Sequence, residues 1–361
     1  MKTYCKGLVI DREVVMRAYE VWRSKPAGNE NWRRVYSEYG SVDALVDEIA
    51  TEIRERRLRF RPIHRFEFIE PSNGKPRVLG VLSVKQQVVD YVIITCVEPL
   101  LDARVGYWQV SGIPGKGNDF AERAIQKWVR DGSCRYHVKS DVRHCYQSTD
   151  TGMVMGIFRR YVASDDVLYC IESVLSTYSD GLQMGSSFSQ RASQIVLSFG
   201  YHLVEDMHKV RRGRNVALVS HQIWQADDIE LFSMSKRDLR VAMRSLERFM
   251  EDELGLTLKP WKICEVSEPE PVDLVGDQTT PSRTRVRGKT FLRARRSYRS
   301  FERHPNLQNA RRVVSYHGVI SHVDSKSLVK RNHMDRTAAR ARRLISRESR
   351  TSHDSGKRFR R

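Results

Sequence analysis

The chain has 361 residues and a formal net charge of +19, with 63 Lys and Arg against 44 Asp and Glu. No apolar run is long enough to span a bilayer, since the best candidate, 88–101, is interrupted by Asp90 and Glu98. The six cysteines form no C-x-x-C pair, so reduced thiols fit better than a disulfide framework or a zinc site. We therefore expect a cytoplasmic protein with no signal peptide and no membrane partner.

The positive charge is concentrated near the end of the chain. Residues 281–361 hold 24 Lys and Arg against 5 Asp and Glu, so the first 280 residues sum to zero. Within this segment, 283–312 carries eleven basic residues and one acidic residue, with Phe291, Tyr298 and Phe301 interleaved. Such a segment should attract polyphosphate and lose affinity as salt rises. The alternative is a disordered basic tail that binds nothing specific.

The first sixty residues predict helices. Asp11 and Ser41 are suited to cap two of them, and Pro26–Asn29 should separate them. Alternating residues predict a strand over 65–70, followed by a turn at 71–74 and a return strand from Lys75. A helix is predicted over about 84–101.

The middle of the chain mixes strands and helices without strict alternation. We predict a strand over 138–142, a long helix after 181–187, and strands at 217–219 and 229–232 on either side of Asp227-Asp228. Ser235 should cap a further helix. This order favours an α+β fold over a doubly wound sheet.

Two places supply carboxylates for a metal site. Asp227 and Asp228 stand between two apolar runs, and Asp141 lies at the end of a predicted strand about eighty residues earlier. Acidic pairs at turns are common in solvated loops, so the pair alone is weak evidence. A carboxylate at a strand end and a carboxylate pair at a hairpin tip are together able to hold two divalent cations.

Three further blocks follow in a fixed order. Tyr146 stands five residues after Asp141, where its ring would collide with a ribose 2′-hydroxyl, although it would also suit a half-buried core position. Gly181–Gln190 leads into the long helix, and its glycines let the backbone approach a base pair. The segment 254–262 brings Lys259 and Lys262, either of which could protonate a leaving pyrophosphate.

In this order and spacing the blocks resemble the reverse transcriptases of bacterial retroelements, over roughly residues 50–325. The Asp141 block is similar to the family's motif A, Gly181–Gln190 to motif B, 225–228 to motif C and 255–262 to motif D. Upstream, 75–77 and 111–117 resemble the fingers blocks, and 315–319 resembles a segment of the thumb.

Details of these blocks indicate a subgroup. Apolar Met184 before Gly185, with Ser189 and Gln190 after it, resembles the enzymes of diversity-generating retroelements, and antiphage defence groups share much of the pattern. Two departures stand out. Gln225 occupies a position that is usually aromatic in the family, and Gln183 replaces the usual proline of motif B.

The resemblance implies an α+β right-hand polymerase with fingers and palm, an antiparallel sheet plus helices, and a basic helical thumb. The corresponding expectation for the domains is an N-terminal helical segment (1–60), fingers (61–135), a palm with the catalytic motifs (136–280), a thumb (281–332) and a disordered basic tail (333–361).

The resemblance also implies the chemistry. Two Mg²⁺ ions, with Mn²⁺ as an alternative, would be held by Asp141, Asp227 and Asp228. Lys262 would be the general acid, preferred over Lys259. The residues expected to bind substrate are Lys75, Arg77, Tyr146, Met184, Gly185, Gln190 and Gln225.

The implied partners are an RNA template, a DNA or RNA primer, dNTPs, and a structured cognate RNA or a small accessory protein. The enzyme would be encoded by a bacterium or a phage. Two rival interpretations stay open. They are an RNA-templated RNA polymerase, which Tyr146 opposes, and a nucleic-acid-binding protein that keeps a polymerase fold without catalysis.

Overall fold

The structure is a computed structural model that describes residues 3–70, 74–274 and 276–358, the last ten of these as backbone only. It is an α+β protein in which helices predominate and small sheets are antiparallel. No helix in these ranges is long and apolar enough to cross a membrane.

The N-terminal segment forms three helices, α1 (Arg12–Ser24), α2 (Pro26–Tyr39) and α3 (Val42–Arg54). The predicted caps are confirmed, because the side chains of Asp11 and Ser41 each accept from the backbone N–H three residues further along, at Val14 and Ala44. The predicted break lies one residue earlier, at Lys25, whose extended backbone separates α1 from α2, and Pro26–Asn29 are helical. These residues are the first turn of α2, where proline is tolerated since its missing N–H would have no helical partner.

An antiparallel ribbon follows, built from β1 (His64–Ile69) and β2 (Pro76–Val81). The predicted turn at 71–74 lies mostly outside the described residues. The predicted helix at 84–101 is confirmed as α4 (Val84–Arg104), and α5 (Asn118–Arg130) comes after it.

The central sheet has the strand order β6-β7-β3-β8 and is antiparallel throughout. Its strands are β3 (Tyr136–Asp141), β6 (His221–Gln225), β7 (Asp228–Ser233) and β8 (Lys262–Glu265). Between β3 and β6 the chain forms α6 (Cys145–Ser148), α7 (Thr151–Tyr161), α8 (Asp165–Leu175), α9 (Ser187–Glu205), and the hairpin β4 (His208–Arg211) and β5 (Arg214–Ala217). Helix α10 (Lys236–Leu254) follows β7, and Ser235 caps it as predicted.

The predicted strand at 217–219 is wrong. Ala217 ends β5, while Leu218 and Val219 form a buried connection to β6, whose residues are His-Gln-Ile-Trp-Gln. Leu218 and Val219 therefore pack into the core without joining the central sheet, while Ala217 stays exposed in β5. The strand beside the aspartate pair instead contains three polar residues, and one of them, Gln222, is buried with its amide donating to Tyr201 O and accepting from Trp224 Nε1.

The two faces of the central sheet have different chemistry. Val138, Leu231 and Ile263 are buried in the main core together with residues of α9 and α10. Because side chains alternate along a strand, His137, Lys139 and Asp141 point to the opposite face. There His137 Nδ1 lies 2.6 Å from Glu230 Oε1, and both side chains are buried.

A small sheet and a helical bundle complete the chain. The sheet contains β9 (Val272–Leu274), β10 (Asp277–Thr279) and β11 (Thr284–Val286), and the bundle contains α11 (Gly288–Arg303), α12 (Leu307–Ser321), α13 (Lys326–Arg331) and α14 (Met334–Arg358). The bundle has its own core, which includes Tyr298, Phe301 and Val313. We expected 333–361 to be disordered, whereas Met334, Ala338 and Ala341 recur at helical spacing and are buried in this core.

Candidate functional site

The sheet register brings the predicted carboxylates together. Asp141 at the end of β3 is directly opposite Asp228 at the start of β7. Gln225 pairs with Asp228 across a two-residue turn, so Ala226 and Asp227 form the tip of the β6–β7 hairpin. Ala226 has φ of 54°, in the left-handed region that non-glycine residues seldom adopt. This turn projects Asp227 beyond the end of the sheet, beside Asp141.

Backbone hydrogen bonds hold this tip in place. Val142 N donates to Asp227 O at 3.0 Å, which ties the hairpin to the chain leaving β3. From the other side, Lys259 N donates to Asp141 O at 2.9 Å, and Ser140 Oγ donates to Lys259 O at the same distance. Three segments that are distant in sequence are thus joined around the carboxylates.

Two lysines neutralise part of the carboxylate charge. Lys259 Nζ forms an ion pair with Asp141 Oδ2, and Lys139 Nζ lies 3.4 Å from Asp228 Oδ1. Asp227 has no such lysine among the described ion pairs. Partial burial, followed by the nearby charges of Asp228 and Asp141, raises the pKa of Asp227, although Lys259 opposes the rise. The cluster therefore carries negative charge that a cation would relieve.

The carboxylates open into a cavity of about 1110 Å³. Lys75 and Arg77, at and just before the start of β2, also line it, with Phe68 and Glu70 at the end of β1. Arg77 Nε lies 3.1 Å from Glu70 Oε2. The cavity is thus lined by both cationic and acidic side chains, a combination that suits a ligand carrying both phosphate and bound metal.

The β1–β2 ribbon reaches this cavity through the loop before α9. Gly80 N donates to Met184 O at 2.9 Å, and Met184 lines the cavity. Gly185 has φ of 106°, and a Cβ there would lie 2.4 Å from Gly80 O. Glycine is required at this position, because any side chain would push the ribbon away from the loop.

Tyr146 lies between this cavity and a smaller one. Its ring lines both, and the smaller cavity is also lined by Gln190 and Ala226. Burial raises the pKa of Tyr146 to about 12, so the hydroxyl stays protonated at physiological pH. Leu182 N donates to Tyr146 O at 2.7 Å, which fixes the residue to the loop carrying Met184.

Two predicted residues lie elsewhere. Lys262 does not line the cavity; its ammonium bonds Glu270 Oε1 at 2.6 Å, and its side chain is 76% exposed. Gln225 lies at the base of the hairpin tip, where its Nε2 donates to Asn118 Oδ1 at 3.1 Å. Its Oε1 is buried without a partner among the described residues.

Sequence reasoning missed the importance of Lys139 and Lys259. Lys139 stands two residues before Asp141, so strand alternation alone places both on one face of the sheet. Of the two candidate lysines, Lys259 lines the cavity and Lys262, the residue preferred from the sequence, does not. The antiparallel bridge between Val142 and Leu258 brings Lys259 to Asp141, and no local sequence pattern encodes this long-range contact.

The oxygen donors at this site fit Mg²⁺. Hard carboxylate ligands suit this ion, which keeps several waters and completes its coordination with substrate phosphates. Among the described residues, no group of three or more Asp, Glu, His or Cys side chains forms a ready-made cage. Three carboxylates that open into a cavity of about 1110 Å³ are compatible with this type of Mg²⁺ binding.

No family model matches the chain, and no curated protein matches it significantly.

Proposed function

We propose that this chain is a reverse transcriptase, which synthesises DNA on an RNA template by Mg²⁺-dependent nucleotidyl transfer. The observation that carries the proposal is the meeting of Asp141 with Asp227 and Asp228 at one end of the sheet, next to a cavity lined by Lys75 and Arg77. Carboxylates that bind metal on one side and cations that bind triphosphate on the other are what phosphoryl transfer needs.

The proposed architecture is that of a right-hand polymerase. The central sheet with α9 and α10 would be the palm, and the β1–β2 ribbon with α5 would belong to the fingers. The bundle of α11, α12 and α14 would be the thumb. Its separate core and the basic residues of α11, which carries six Lys and Arg, support a role in following template–primer phosphates.

In this proposal Asp141 and Asp227 hold the metal ions, and Asp228 assists. When bound, the ions would activate the primer 3′-hydroxyl and neutralise the triphosphate. Lys259 would release Asp141 as metal binds, which would leave its ammonium inside the cavity, near the leaving pyrophosphate. Its position makes Lys259 a better candidate than Lys262 for donating a proton there.

Tyr146 and Met184 would select the incoming nucleotide. The Tyr146 ring lies beside the carboxylates, where it would exclude a ribose 2′-hydroxyl. Met184 lines the same cavity with an apolar side chain, which supports the resemblance to diversity-generating or defence-associated enzymes. Replacing Met184→Gln should change the spectrum of cDNA errors, above all opposite template adenine. An unchanged spectrum would remove this support.

Primer extension on an RNA template tests the proposal. Wild-type protein should extend an annealed primer with dNTPs in Mg²⁺ and far less with NTPs, and Tyr146→Ala should increase ribonucleotide incorporation. Asp227→Asn should abolish extension with dNTPs and with NTPs alike. Equal signals from wild type and Asp227→Asn, or no extension with any primer or metal, would favour a binding protein without catalysis.

A further inference from the structure

A second hairpin, residues 208–217, precedes the central sheet's β6 and is here called the basic ribbon. It consists of β4 and β5, with Arg211 paired to Arg214 and a two-residue turn at Arg212-Gly213. Both turn residues have positive φ, 50° for Arg212 and 72° for Gly213. This turn class matches strand twist, but its first position favours asparagine, aspartate or glycine, so Arg212 is strained there.

The basic ribbon buries neither of its faces. Every residue from Val210 to Ala217 is exposed, and Val210 is 79% exposed. Its base is attached by Leu218 N, which donates to Met207 O at 2.9 Å, and by an ion pair between Lys209 and Asp238. A two-stranded hairpin without a buried face is only marginally stable in water. The ribbon therefore gains little from the fold that carries it.

The charges on the basic ribbon oppose its own stability. Arg211 and Arg214 are direct cross-strand partners, and like charges in that position destabilise a hairpin. Arg212 adds a third guanidinium between them. None of the three forms an ion pair with an acidic side chain among the described residues. Strain, repulsion and exposure all occur at one tip, and an anionic occupant would offset the repulsion.

We propose that the basic ribbon binds the phosphate backbone of a nucleic acid outside the catalytic cavity. Guanidinium groups bind phosphate through paired hydrogen bonds, and no base contact is needed. Strand alternation puts Val216 as the one apolar side chain on the face of Arg211 and Arg214, whereas protein interfaces favour an apolar or aromatic centre. Repeating phosphates fit this surface better than an acidic protein does.

The location separates this surface from the cavity. Strand β6 runs from His221, next to the base of the basic ribbon, to Gln225 at the catalytic tip, a span of about 13 Å at the usual rise per residue. A nucleic-acid segment bound to the basic ribbon would therefore lie away from the primer terminus. The proposal does not depend on polymerase activity, because binding is measured without nucleotides or metal.

The test is fluorescence anisotropy of the full chain with three labelled probes, namely a hairpin RNA, a single-stranded RNA and a duplex DNA, over a series of KCl concentrations. The variant replaces Arg211, Arg212 and Arg214 with Gln. Each phosphate contact contributes about 0.7 to 0.9 to the slope of log affinity against log salt, so loss of three should lower the slope by about 2. Affinity at low salt should fall at least ten-fold.

Matched variants separate local contact from net charge. Changing Lys25, Arg33 and Arg54 to Gln removes the same charge from exposed positions in the N-terminal helical segment and should leave the slope unchanged. Changing the three ribbon arginines to Lys should keep most of the slope. A preference for one probe identifies RNA or DNA as the nucleic acid that the basic ribbon binds. A preference for RNA and a preference for DNA both support the proposal.

Three outcomes would overturn the proposal. They are an unchanged slope in the glutamine variant, an equal loss in the N-terminal control, and ribbon-dependent binding to vesicles containing phosphatidylserine without ribbon-dependent binding to any oligonucleotide. Primer extension on a short, pre-annealed duplex should be the same for wild type and the glutamine variant. A chain with no extension activity but a ribbon-dependent salt slope would reject the proposed polymerase and retain this inference.

Discussion

Two hairpins of the molecule, β4–β5 and β6–β7, share one local design and differ in everything around it. Both close with a two-residue turn whose first residue has positive φ, 50° at Arg212 and 54° at Ala226. Both present like charges at the tip, arginines in the first and aspartates in the second. Only three residues separate the end of one from the start of the other.

Their surroundings decide what each hairpin does. Strand β7 lies between β6 and β3, and its side chains are largely buried, so the Asp227 tip is fixed against Asp141. The basic ribbon has no third strand and no buried face. The aspartates of the β6–β7 tip therefore repel one another on a rigid backbone that fixes their positions. The arginines of the basic ribbon repel one another on a hairpin that is only weakly held. The same turn serves precise positioning in one place and adaptable contact in the other.

Among substitutions at the two hairpin tips, the largest expected effect is on catalysis. Asp227→Asn at the rigid tip should lower primer extension by on the order of 10³-fold or more, since a metal ligand supplies several kcal/mol of transition-state stabilisation. The matched change at the other tip, Arg214→Gln, should leave extension of a pre-annealed duplex unchanged. Rates under single-turnover conditions make the comparison, and similar losses in both variants would contradict it.

The same Asp227→Asn change should stabilise the metal-free protein. The folded pKa of Asp227 is raised above its ordinary value of 3.8, so the folded state binds the proton more tightly than the unfolded state does. The free energy of unfolding therefore falls as pH rises from 3.8 through the higher pKa of the folded state, and it stays lowered at neutral pH. Asparagine removes this loss. Thermal melting at pH 7 should show a higher Tm for the variant without Mg²⁺ and a Mg²⁺-dependent rise only for wild type. A lower Tm for Asp227→Asn than for wild type without Mg²⁺ would contradict the raised pKa of Asp227.

Lys139 tests the charge balance at the base of the rigid tip. Lys139→Met removes the partner of Asp228, and a divalent cation no longer competes with that ammonium. Partly exposed ion pairs contribute up to about 1 kcal/mol, so the Mn²⁺ concentration for half-saturation should fall about two- to five-fold. Mn²⁺ binding followed by electron paramagnetic resonance measures this, with Lys139→Arg as the charge-preserving control. Unchanged binding would show that Lys139 does not compete.

At the exposed tip, Arg214→Glu should stabilise the basic ribbon while weakening its binding to nucleic acid. It changes a repulsive cross-strand pair with Arg211 into an attractive one, a gain of up to about 1 kcal/mol. Amide hydrogen exchange of the ribbon should slow by up to about five-fold while the affinity for oligonucleotides falls. Faster exchange would mean that the arginine pair does not destabilise the ribbon.

The smallest effects concern the strained turns. Arg212→Asn and Ala226→Gly each place a residue that tolerates positive φ, with an expected gain of about 0.5 to 1 kcal/mol. Because the catalytic hairpin is part of the central sheet, Ala226→Gly should raise the Tm of the whole protein. Arg212→Asn should appear only as slower local exchange. Equal changes in Tm would indicate that the two hairpins are coupled to the core alike.

The sequence was most informative where local patterns determine structure. The caps at Asp11, Ser41 and Ser235 were predictable from side-chain chemistry, and so were the strand carrying Asp141 and the tip carrying Asp227. The strand at 217–219 was predicted wrongly because an apolar run also suits a buried connection.

Contacts between distant segments could not be read in this way. Lys259 reaches Asp141 through a bridge between Val142 and Leu258, so its place in the cavity depends on pairing that no local pattern encodes. The basic ribbon went unnoticed because a short arginine cluster carries no hydrophobic periodicity. The order of α14 depends on Met334, Ala338 and Ala341, whose small apolar stripe is easily hidden among arginines.

The central position of β3 has a consequence for synthesis of the chain. Its partners β7 and β8 begin 92 and 126 residues after its first residue, Tyr136, so both edges of β3 are unpaired while the ribosome makes the intervening helices. Long-range pairing of this kind is slow, and exposed strand edges promote aggregation. A nascent chain that ends before Lys262 has already made every candidate metal ligand, yet it lacks the last strand of the sheet. We therefore expect expression at low temperature, with time for late pairing, to increase the yield of folded protein.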